Sequence, residues 1–446
     1  MRMSASEVRD SLRTQLWPVP LAAVVGALAL GQYLPYLDKQ LDDHLSDAVS
    51  GLLFGGGPEA AQLLMQTIAG SLVTVTSLTF SLTVVTLQLA SSQFSPRLLR
   101  TFSRDRFVHM TLAMFLATFV FSLTVLRSIR SETSDGEGFV PKISVTVASG
   151  LTVASVVALV FFLAHLARQI RVETMMRDVH LEADRTIDRI FPDGGSDAEP
   201  DRTHPEGRAM FVESPVSAFL VAVDADAAVA AAVQSDAFVV IDATPGASLI
   251  AGVPCARAWS VEGDGIDARS RSELEAGIQA SLSTGFERTA AQDAGFGLQQ
   301  LLDVASRALS PGVNDPTTAV HALGHISAVL CTLVSRHTGP KLHADDDGRP
   351  RVLISHPSFE DLLDQVMTQM IRYALDDPRT AGRLVQMLRE LCWVAAAGPR
   401  SVAIRQQLAP LRSAIATAEL STETKESLQR ECDTVTEASA GAWHVS

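Results

Sequence analysis

The 446-residue sequence contains only four cysteines and none of the short motifs that identify common enzyme classes. No two cysteines form a CxxC pair, and their wide spacing argues against a disulfide framework or a zinc cluster. The sequence also lacks a GxSxG nucleophile elbow, a P-loop and a GxGxxG dinucleotide fingerprint. These absences leave an enzyme unsupported, and the sequence predicts no cofactor. The four cysteines are expected to be reduced thiols in the cytoplasm. They are Cys255, Cys331, Cys392 and Cys432.

Charged residues are missing from four long apolar runs in the first part of the chain. The runs are Thr14–Leu37, Ala60–Pro96, Phe107–Leu126 and Ile143–Ala167. A helix needs about 20 apolar residues to cross a bilayer, so each run is long enough to span. No carboxylate lies inside a run, which argues against a proton-coupled carrier. The pattern predicts four transmembrane helices, at about 15–37, 61–95, 107–127 and 143–167.

The charges beside these runs predict the orientation of the chain. Arginines 2, 9 and 13 precede the first run, and arginines 97, 100, 104 and 106 follow the second. Basic flanks remain on the cytoplasmic side of a membrane, so both termini are predicted to be cytoplasmic. A chain with this orientation is expected in the inner (plasma) membrane. The basic leader is also typical of a cleaved signal peptide, but the apolar stretch continues through Tyr36, which favours a retained signal anchor.

The second run carries two seams of uncharged polar residues. Three- and four-residue spacing places the first seam on one helix face, and Gln88 belongs to a second seam with Ser77 and Ser81. Uncharged oxygens can replace part of the water shell of an ion, so the sequence predicts a pore lining. The alternative to a pore lining is a structural role, in which the hydroxyls bond to carbonyls of their own helix and allow neighbouring helices to pack closely. The predicted pore-lining residues are Thr76, Thr79, Thr83, Thr86, Gln88 and Gln93.

The remainder of the chain is predicted to be a cytoplasmic domain. After the transmembrane domain at 1–170, we expect a helical extension of the fourth span at 171–192 and a linker at 193–209. A small β-rich module should occupy 210–265, and a helical bundle 272–440. The predicted fold class is therefore an α-helical membrane protein with four spans, followed by a cytoplasmic domain with a small β-rich module and a helical bundle.

The predicted cytoplasmic part is strongly acidic. Residues 171–446 contain 24 Lys or Arg and 39 Asp or Glu, which gives a charge of −15. Binding to phosphate backbones needs a basic surface, so a nucleic-acid partner is not expected. An acidic surface can gather cations near a pore mouth, or it can simply keep the domain soluble.

The densest motif region lies between residues 286 and 319. Its sequence resembles a bacterial family of predicted membrane proteins of unknown function, number 2254 in the domain-of-unknown-function series. The second run, TSLTFSLTVVTLQLASSQFSPRLL, resembles the membrane signature of the same family. The resemblance implies membership and a membrane location, and it carries no catalytic or binding role. The matching residues are Arg288, Gln292, Asp293, Phe296, Gly297, Asp303, Ala305, Arg307, Ala308 and the loop Ser310–Pro316.

The loop in this region has a structural and a functional interpretation. Ser310, Pro311 and Gly312 should end one helix, and Asn314 or Asp315 should cap the next, with Pro316 in its first turn. Alternatively, the new helix start could hold an anion, or the three carboxylates of Asp293, Asp303 and Asp315 could hold a cation.

Two histidines on the helix after this loop have the spacing of a metal site. His321 and His325 lie four residues apart, so one metal ion could contact both imidazoles. The next residue after His321 is not a glutamate, and a third ligand would have to come from Cys331 or a distant Asp. The sequence therefore favours no metal site.

These observations lead to one main hypothesis and two alternatives. The main hypothesis is an oligomeric inner-membrane channel that conducts small ions, with cations favoured, along the second span between subunits. Its partners would be the lipid bilayer, further copies of the chain and small ions. A membrane-anchored sensor or scaffold, whose cytoplasmic domain binds a ligand or partner, is the first alternative. An enzyme with its site near Asp293 and Asp315 is the second.

Overall fold

The computed structural model describes residues 17–41, 53–93, 105–130, 139–169, 171–191, 207–261, 265–396 and 398–443. Residue contacts divide the chain into an N-terminal unit, Met1–Arg171, and a C-terminal unit, Val172–Ser446. The structure is mostly helical, and strands occur only in the C-terminal unit among the described elements. This agrees with the predicted combination of apolar helices and a β-containing C-terminal region.

The N-terminal unit contains four long apolar helices. They are α1 (Pro18–Leu41), α2 (Pro58–Gln93), α3 (Arg106–Leu126) and α4 (Lys142–Gln169). Proline begins α1 and α2, where its missing N–H costs no hydrogen bond, and Asp105 accepts the Phe107 N–H to cap α3. These three helices therefore start where the local sequence supplies a favourable first turn.

Helix α3 lies at the centre of the N-terminal unit and packs against the other three helices. Phe115, Phe121 and Met65 fill the core with less than 3% of their surfaces exposed. Gly31 permits the close approach of α1 to α3, because a Cβ there would lie 2.8 Å from the Cβ of Thr124. Helix α3 thus has the most extensive contacts of the four and is also the most buried.

The C-terminal unit contains two small sheets. Strands β1 (Met210–Glu213), β3 (Ala237–Ile241), β5 (Pro254–Ser260), β7 (Lys341–Ala344) and β8 (Pro350–Ile354) form one sheet in the order β1-β5-β3-β8-β7. Only the β3–β8 pair in this sheet is parallel. Strands β2 (Ala218–Val223), β4 (Ser248–Leu249) and β6 (Leu282–Gly285) form the second sheet in the order β4-β2-β6.

Three of these strands come from the stretch that sequence analysis assigned to a helical bundle. They are β6, β7 and β8, all of them beyond residue 272. Val352, Leu353 and Ile354 of β8 pair with β3, more than 100 residues earlier in the chain. Such short strands are stabilised by distant partners, and local periodicity does not predict them.

The C-terminal unit also contains ten helices among the described residues. Helices α5 (Val172–Ile190), α8 (Ala294–Ala308), α9 (Pro316–Val334), α10 (Phe359–Ala374) and α11 (Pro378–Ala395) pack against one another. Their buried faces repeat at three and four residues, as in an amphipathic bundle. The others are α6 (Ala225–Gln234), α7 (Ala268–Ser281), α12 (Pro399–Gln406), α13 (Leu408–Thr417) and α14 (Thr422–Ser439).

Two predicted connections depend on residues that are not described. Residues 193–206 of the predicted linker lie outside the described residues. Helix α4 ends at Gln169 and α5 begins at Val172, and residue 170 between them is also outside the described residues. The predicted continuation of the fourth span as one rigid helix stays a prediction.

A buried histidine should make the C-terminal unit sensitive to acid. His356 is 8% exposed, and its ring packs on Phe191. Burial, together with the charges of Lys341 and His343, lowers the pKa of His356 from 6.5 to about 4. Protonation therefore favours the unfolded chain, and stability that is complete above pH 6.5 decreases as the pH falls.

Between pH 7 and pH 5 this single group should lower the free energy of unfolding by about 2 kcal/mol. Denaturant titrations at the two pH values should show this loss in the wild type and not in His356→Gln. The control His321→Gln removes an exposed imidazole and keeps the buried one. An unchanged pH dependence in His356→Gln would contradict the prediction.

Candidate functional site

The first polar seam of α2 faces the interior of the N-terminal unit. Thr79, Thr83 and Thr86 are 0%, 8% and 5% exposed, and Thr76 is half-buried. The Thr83 hydroxyl donates to the carbonyl of Thr79 at 2.8 Å, and Thr86 donates in the same way to Leu82 at 2.8 Å. Thr76 donates to the Leu72 carbonyl at 2.6 Å. Hydroxyls that bond to their own helix are available for close packing and less available to an ion.

The hydroxyl of Thr79 differs from these three. It is buried and has no hydrogen-bond partner among the described residues. An unsatisfied hydroxyl inside a helix bundle costs free energy. The methyl group and the shape of the Thr79 side chain therefore contribute to packing, and its hydroxyl does not. Valine, which has the same shape, should therefore fit at this position.

The second seam of α2 faces away from its own unit. Ser77, Ser81 and Gln88 are all exposed, and the same spacing extends backwards through Thr74, Gly70 and Gln66, which are exposed as well. We call these six residues the outward polar stripe. Val84, an apolar residue, lies at the same spacing between Ser81 and Gln88. Exposed apolar residues border the stripe on both sides, namely Val73 and Phe80 on one side and Leu78 and Val85 on the other.

The predicted pore-lining residues are thus divided between two faces. Three of the four threonines are buried within the unit, and Gln88 belongs to the outward polar stripe. The side chain of Gln93 lies outside the described residues. Sequence reasoning missed Gln66, Gly70 and Thr74, although their spacing from Ser77 gave the signal that could have found them.

The signature region of the C-terminal unit contains a buried ion pair. The guanidinium of Arg288 donates to Oδ2 of Asp293 from Nε at 2.9 Å and from Nη2 at 2.7 Å. Oδ1 of Asp293 accepts the Gly295 N–H at 3.1 Å and so caps α8. Burial raises the pKa of Asp293, while Arg288 and the capped amides oppose that rise. Asp293 is therefore held by two partners on two different segments.

The backbone around this ion pair is shaped to fit it. Gly246 has a φ of +94°, and a Cβ there would lie 2.1 Å from Oδ2 of Asp293. Gln292, the neighbour of Asp293, accepts the Val223 N–H at 2.9 Å and donates to the Val223 carbonyl at 3.1 Å. These contacts join the start of α8 to strand β2 and to the loop before β4.

Helix α5 holds the same segment from another direction. Thr186 donates to the carbonyl of Ala290 at 2.9 Å, and Arg189 donates to that of Ala291 at 2.7 Å. A Cβ on Gly297 would lie 2.6 Å from the Cβ of Ala183, so glycine allows α8 to approach α5. The signature residues Arg288, Gln292, Asp293 and Gly297 thus form a structural junction between three elements.

The remaining signature residues have identifiable contacts. Oδ1 of Asp303 accepts from Gln299 at 2.8 Å, within a network of glutamines between α8 and α10. Arg307 lies in the last turn of α8, where its charge opposes the negative end of the helix dipole. Asn314 has a φ of +48° in the loop that follows.

Asp315 is the residue that caps α9. Its carboxylate accepts the Thr318 N–H at 3.1 Å and the Thr318 hydroxyl at 2.6 Å, and Pro316 begins the helix. These hydrogen bonds lower the pKa of Asp315. Its carboxylate is therefore used in the helix start.

The two histidines of α9 are not paired with each other. Nδ1 of His325 lies 2.8 Å from Nδ1 of His180 on α5, and Nε2 of His180 lies 3.1 Å from Asp184. Burial and the neighbouring His180 and His321 lower the pKa of His325. In the part of the chain that the structure describes, no group of three His, Cys, Asp or Glu side chains is arranged to hold a metal ion.

A family model described as Predicted membrane protein (DUF2254) matches residues 13–390. The chain belongs to this family. It is also 33% identical over 404 residues to Uncharacterized protein Rv1290c of Mycobacterium tuberculosis and to Uncharacterized protein Mb1321c of Mycobacterium bovis. Each alignment covers 90% of this chain and 76% of the relative. No solved structure shows a significant match to the chain.

The resemblance predicted from the signature residues is confirmed by this match. Five described helices are long and apolar enough to cross a membrane, namely α1 to α4 and α9. The family description and these helices support a membrane location for this family member. The site residues themselves receive no role from the family.

Proposed function

We propose that this protein is an oligomeric inner-membrane channel that conducts small cations along the outward polar stripe of α2. One observation supports the proposal most strongly, namely a row of five exposed polar side chains, interrupted by Gly70 and Val84, on a membrane-type helix. Lipid tails offer no hydrogen bonds, so the polar side chains of this row that do not bond back to their own helix are more stable against water or against polar groups of another chain. Further copies of the chain around a symmetry axis would provide both.

The length of α2 is consistent with this proposal. Its 36 residues would reach about 54 Å, against a hydrocarbon core of about 30 Å. We propose that Gln88 lies beyond the hydrocarbon on the cytoplasmic side, while Ser77 and Ser81 lie within it. Thr74 would lie there too, but its hydroxyl donates to the Gly70 carbonyl at 3.2 Å. Hydroxyl oxygens at that depth can replace water around a cation without the cost of a buried charge.

We also propose that only four of the five apolar helices cross the membrane. Helix α9 belongs to the C-terminal unit, where it packs against α5, α8 and α11. Ser327 of α9 donates a hydrogen bond to Glu390, and Arg383 lies beside Gly324. A helix with a carboxylate and a guanidinium against its face is better explained as a core helix of a soluble domain. With four crossings and basic flanks inside, both termini are cytoplasmic.

Ion flux through reconstituted protein tests the channel. Replacing Ser77 and Ser81 by Leu should abolish K⁺ flux into proteoliposomes, because two hydroxyls are lost and the path narrows. The matched variant Thr79→Val/Thr83→Val also removes two hydroxyls, but from the inward seam, and should keep at least half of the wild-type flux. Flux would be measured with K⁺, Na⁺ and Cl⁻ gradients.

The same experiment can contradict the proposal in two ways. Flux that is lost in the threonine variant and kept in the serine variant would move the path to the inward seam. No flux under any gradient, from a folded wild-type oligomer, would exclude conduction under these conditions and favour the alternative function.

The alternative is a membrane-anchored sensor or scaffold. A specific observation favours it: a cavity of about 570 Å³ lies in the C-terminal unit, which is within the size range of sites for small molecules. Under this alternative α1 to α4 anchor the chain, and substitutions in the outward polar stripe alter helix packing without altering ligand binding.

A further inference from the structure

The cavity of the C-terminal unit is formed by one face of α11, the start of α9 and the end of the described chain. Arg379, Gly382, Arg383, Gln386 and Arg389 recur at three and four residues along α11 and line it together. Pro316, Thr317 and Val320 of α9 form a second wall. Glu431 and Thr434 of α14 and the ring of Trp443 complete the lining.

The lining has a charge opposite to that of the chain. Three arginines face one glutamate in the cavity, whereas the whole chain has a formal charge of −14. Arginine recognises phosphate groups through paired N–H donors. Arg379 also lies 3.7 Å from Asp377 and Arg383 lies 3.0 Å from Glu390, two carboxylates outside the lining, so the cavity offers guanidinium donors rather than a large excess of charge. These donors suit an anionic ligand with several acceptor oxygens.

Arg383 keeps part of its donor capacity unused. Its Nη2 donates to Glu390 at 3.0 Å, and its side chain is 13% exposed. Its Nη1 is buried and has no hydrogen-bond partner in the described parts of the chain. Glu390 also accepts from the uncharged side chain of Gln386 at 2.9 Å, and this network holds the Arg383 guanidinium at the cavity wall.

The opposite end of the cavity offers an aromatic surface. The guanidinium of Arg389 lies 4.1 Å from the centroid of the Trp443 ring, and Trp443 is 40% exposed. Trp393 packs edge-on against Trp443 with ring centroids 5.5 Å apart. Stacking on Trp443 holds the Arg389 side chain in one place at the cavity, which lowers the entropy lost when it binds an anion.

We propose that this cavity binds a small organic anion that carries phosphate groups. The arginine side chains would bind the anion, because Asp315 already caps the first turn of α9. The inference is independent of ion conduction, and a ligand here would give the C-terminal unit a binding function of its own.

Calorimetric titration of the full-length protein with inorganic pyrophosphate tests the proposal. The protein would be held in an uncharged maltoside detergent at low ionic strength, because salt screens such contacts. We expect saturable binding of one pyrophosphate per chain, weakened about tenfold by Arg379→Gln through loss of one charge-assisted contact. Arg379 is 66% exposed, so this variant should fold normally.

Arg269→Gln is the matched control. Arg269 is 88% exposed on α7 and pairs with Glu273, so the substitution removes one charge at a residue that is not part of the cavity lining. The control should bind pyrophosphate within twofold of the wild type. The proposal is overturned if the folded wild type shows no saturable binding, if Arg269→Gln weakens binding as much as Arg379→Gln, or if neither Arg379→Gln nor Arg389→Gln weakens it.

Discussion

Replacing Asp293 by Ala should lower the free energy of unfolding of the C-terminal unit by about 4 kcal/mol. The carboxylate is 4% exposed, accepts two hydrogen bonds from Arg288 and caps α8 through Gly295. Removing it takes two charge-assisted hydrogen bonds from the half-buried guanidinium of Arg288 and leaves an N-terminal amide of α8 without its acceptor. Both losses occur at the junction that joins α8 to β2 and α5.

Denaturant unfolding followed by tryptophan fluorescence would measure this loss. Asp346→Ala is the matched control, because Asp346 is exposed in the turn between β7 and β8 and should change stability by less than about 0.5 kcal/mol. The double variant Arg288→Ala/Asp293→Ala should cost less than the sum of the single variants, since it removes both charges together. Equal stability of Asp293→Ala and the control would show that the ion pair contributes nothing.

Replacing Asp38 by Ala should lower the stability of the N-terminal unit by about 3 kcal/mol. Asp38 lies in the last turns of α1 and is 5% exposed. Its carboxylate accepts the backbone N–H groups of Ile143 at 2.8 Å and Ser144 at 3.0 Å, and the Ser144 hydroxyl at 2.6 Å. One helix therefore caps the start of another, and alanine leaves two buried amides of α4 without an acceptor.

Thermal unfolding in detergent would test this prediction. Gln40→Ala is the control, because Gln40 lies in the same turn, is exposed and bonds only to Tyr36 among the described side chains. The control should leave the melting temperature nearly unchanged. Ser144→Ala should fall between the two, since it removes the hydroxyl and keeps both amide contacts. A melting temperature of Asp38→Ala equal to that of Gln40→Ala would contradict the capping role.

The sequence was most informative where a local property decides the outcome. A run without charges forms a long helix in lipid or in a core, and all four predicted runs form helices. Asp315 and Pro316 start a helix because capping depends on a few neighbouring residues. Periodicity also predicted a helical bundle after residue 272, and the structure contains one.

The sequence was least informative where partners are distant. Nothing near Val352 predicts that it pairs with Val239 of β3, because the pairing depends on the packing of both strands. The same holds for the cavity, whose lining extends from Pro316 to Trp443 and appears only when α9, α11 and α14 are packed together. The fit of Asp293 against Gly246 is also invisible in the sequence.

The two seams of α2 show which properties the sequence determines and which depend on the tertiary structure. The sequence by itself determined that this helix is long, uncharged and polar along two faces, because spacing fixes which residues share a face. It also determined membership of the family, through the second span and the signature region. Only the tertiary structure decided that Thr79, Thr83 and Thr86 face the bundle and that Ser77, Ser81 and Gln88 face away from it. The physical reason is that a helix of given periodicity can be rotated about its axis at little local cost, and the fit of its side chains against α3 and α4 selects one rotation.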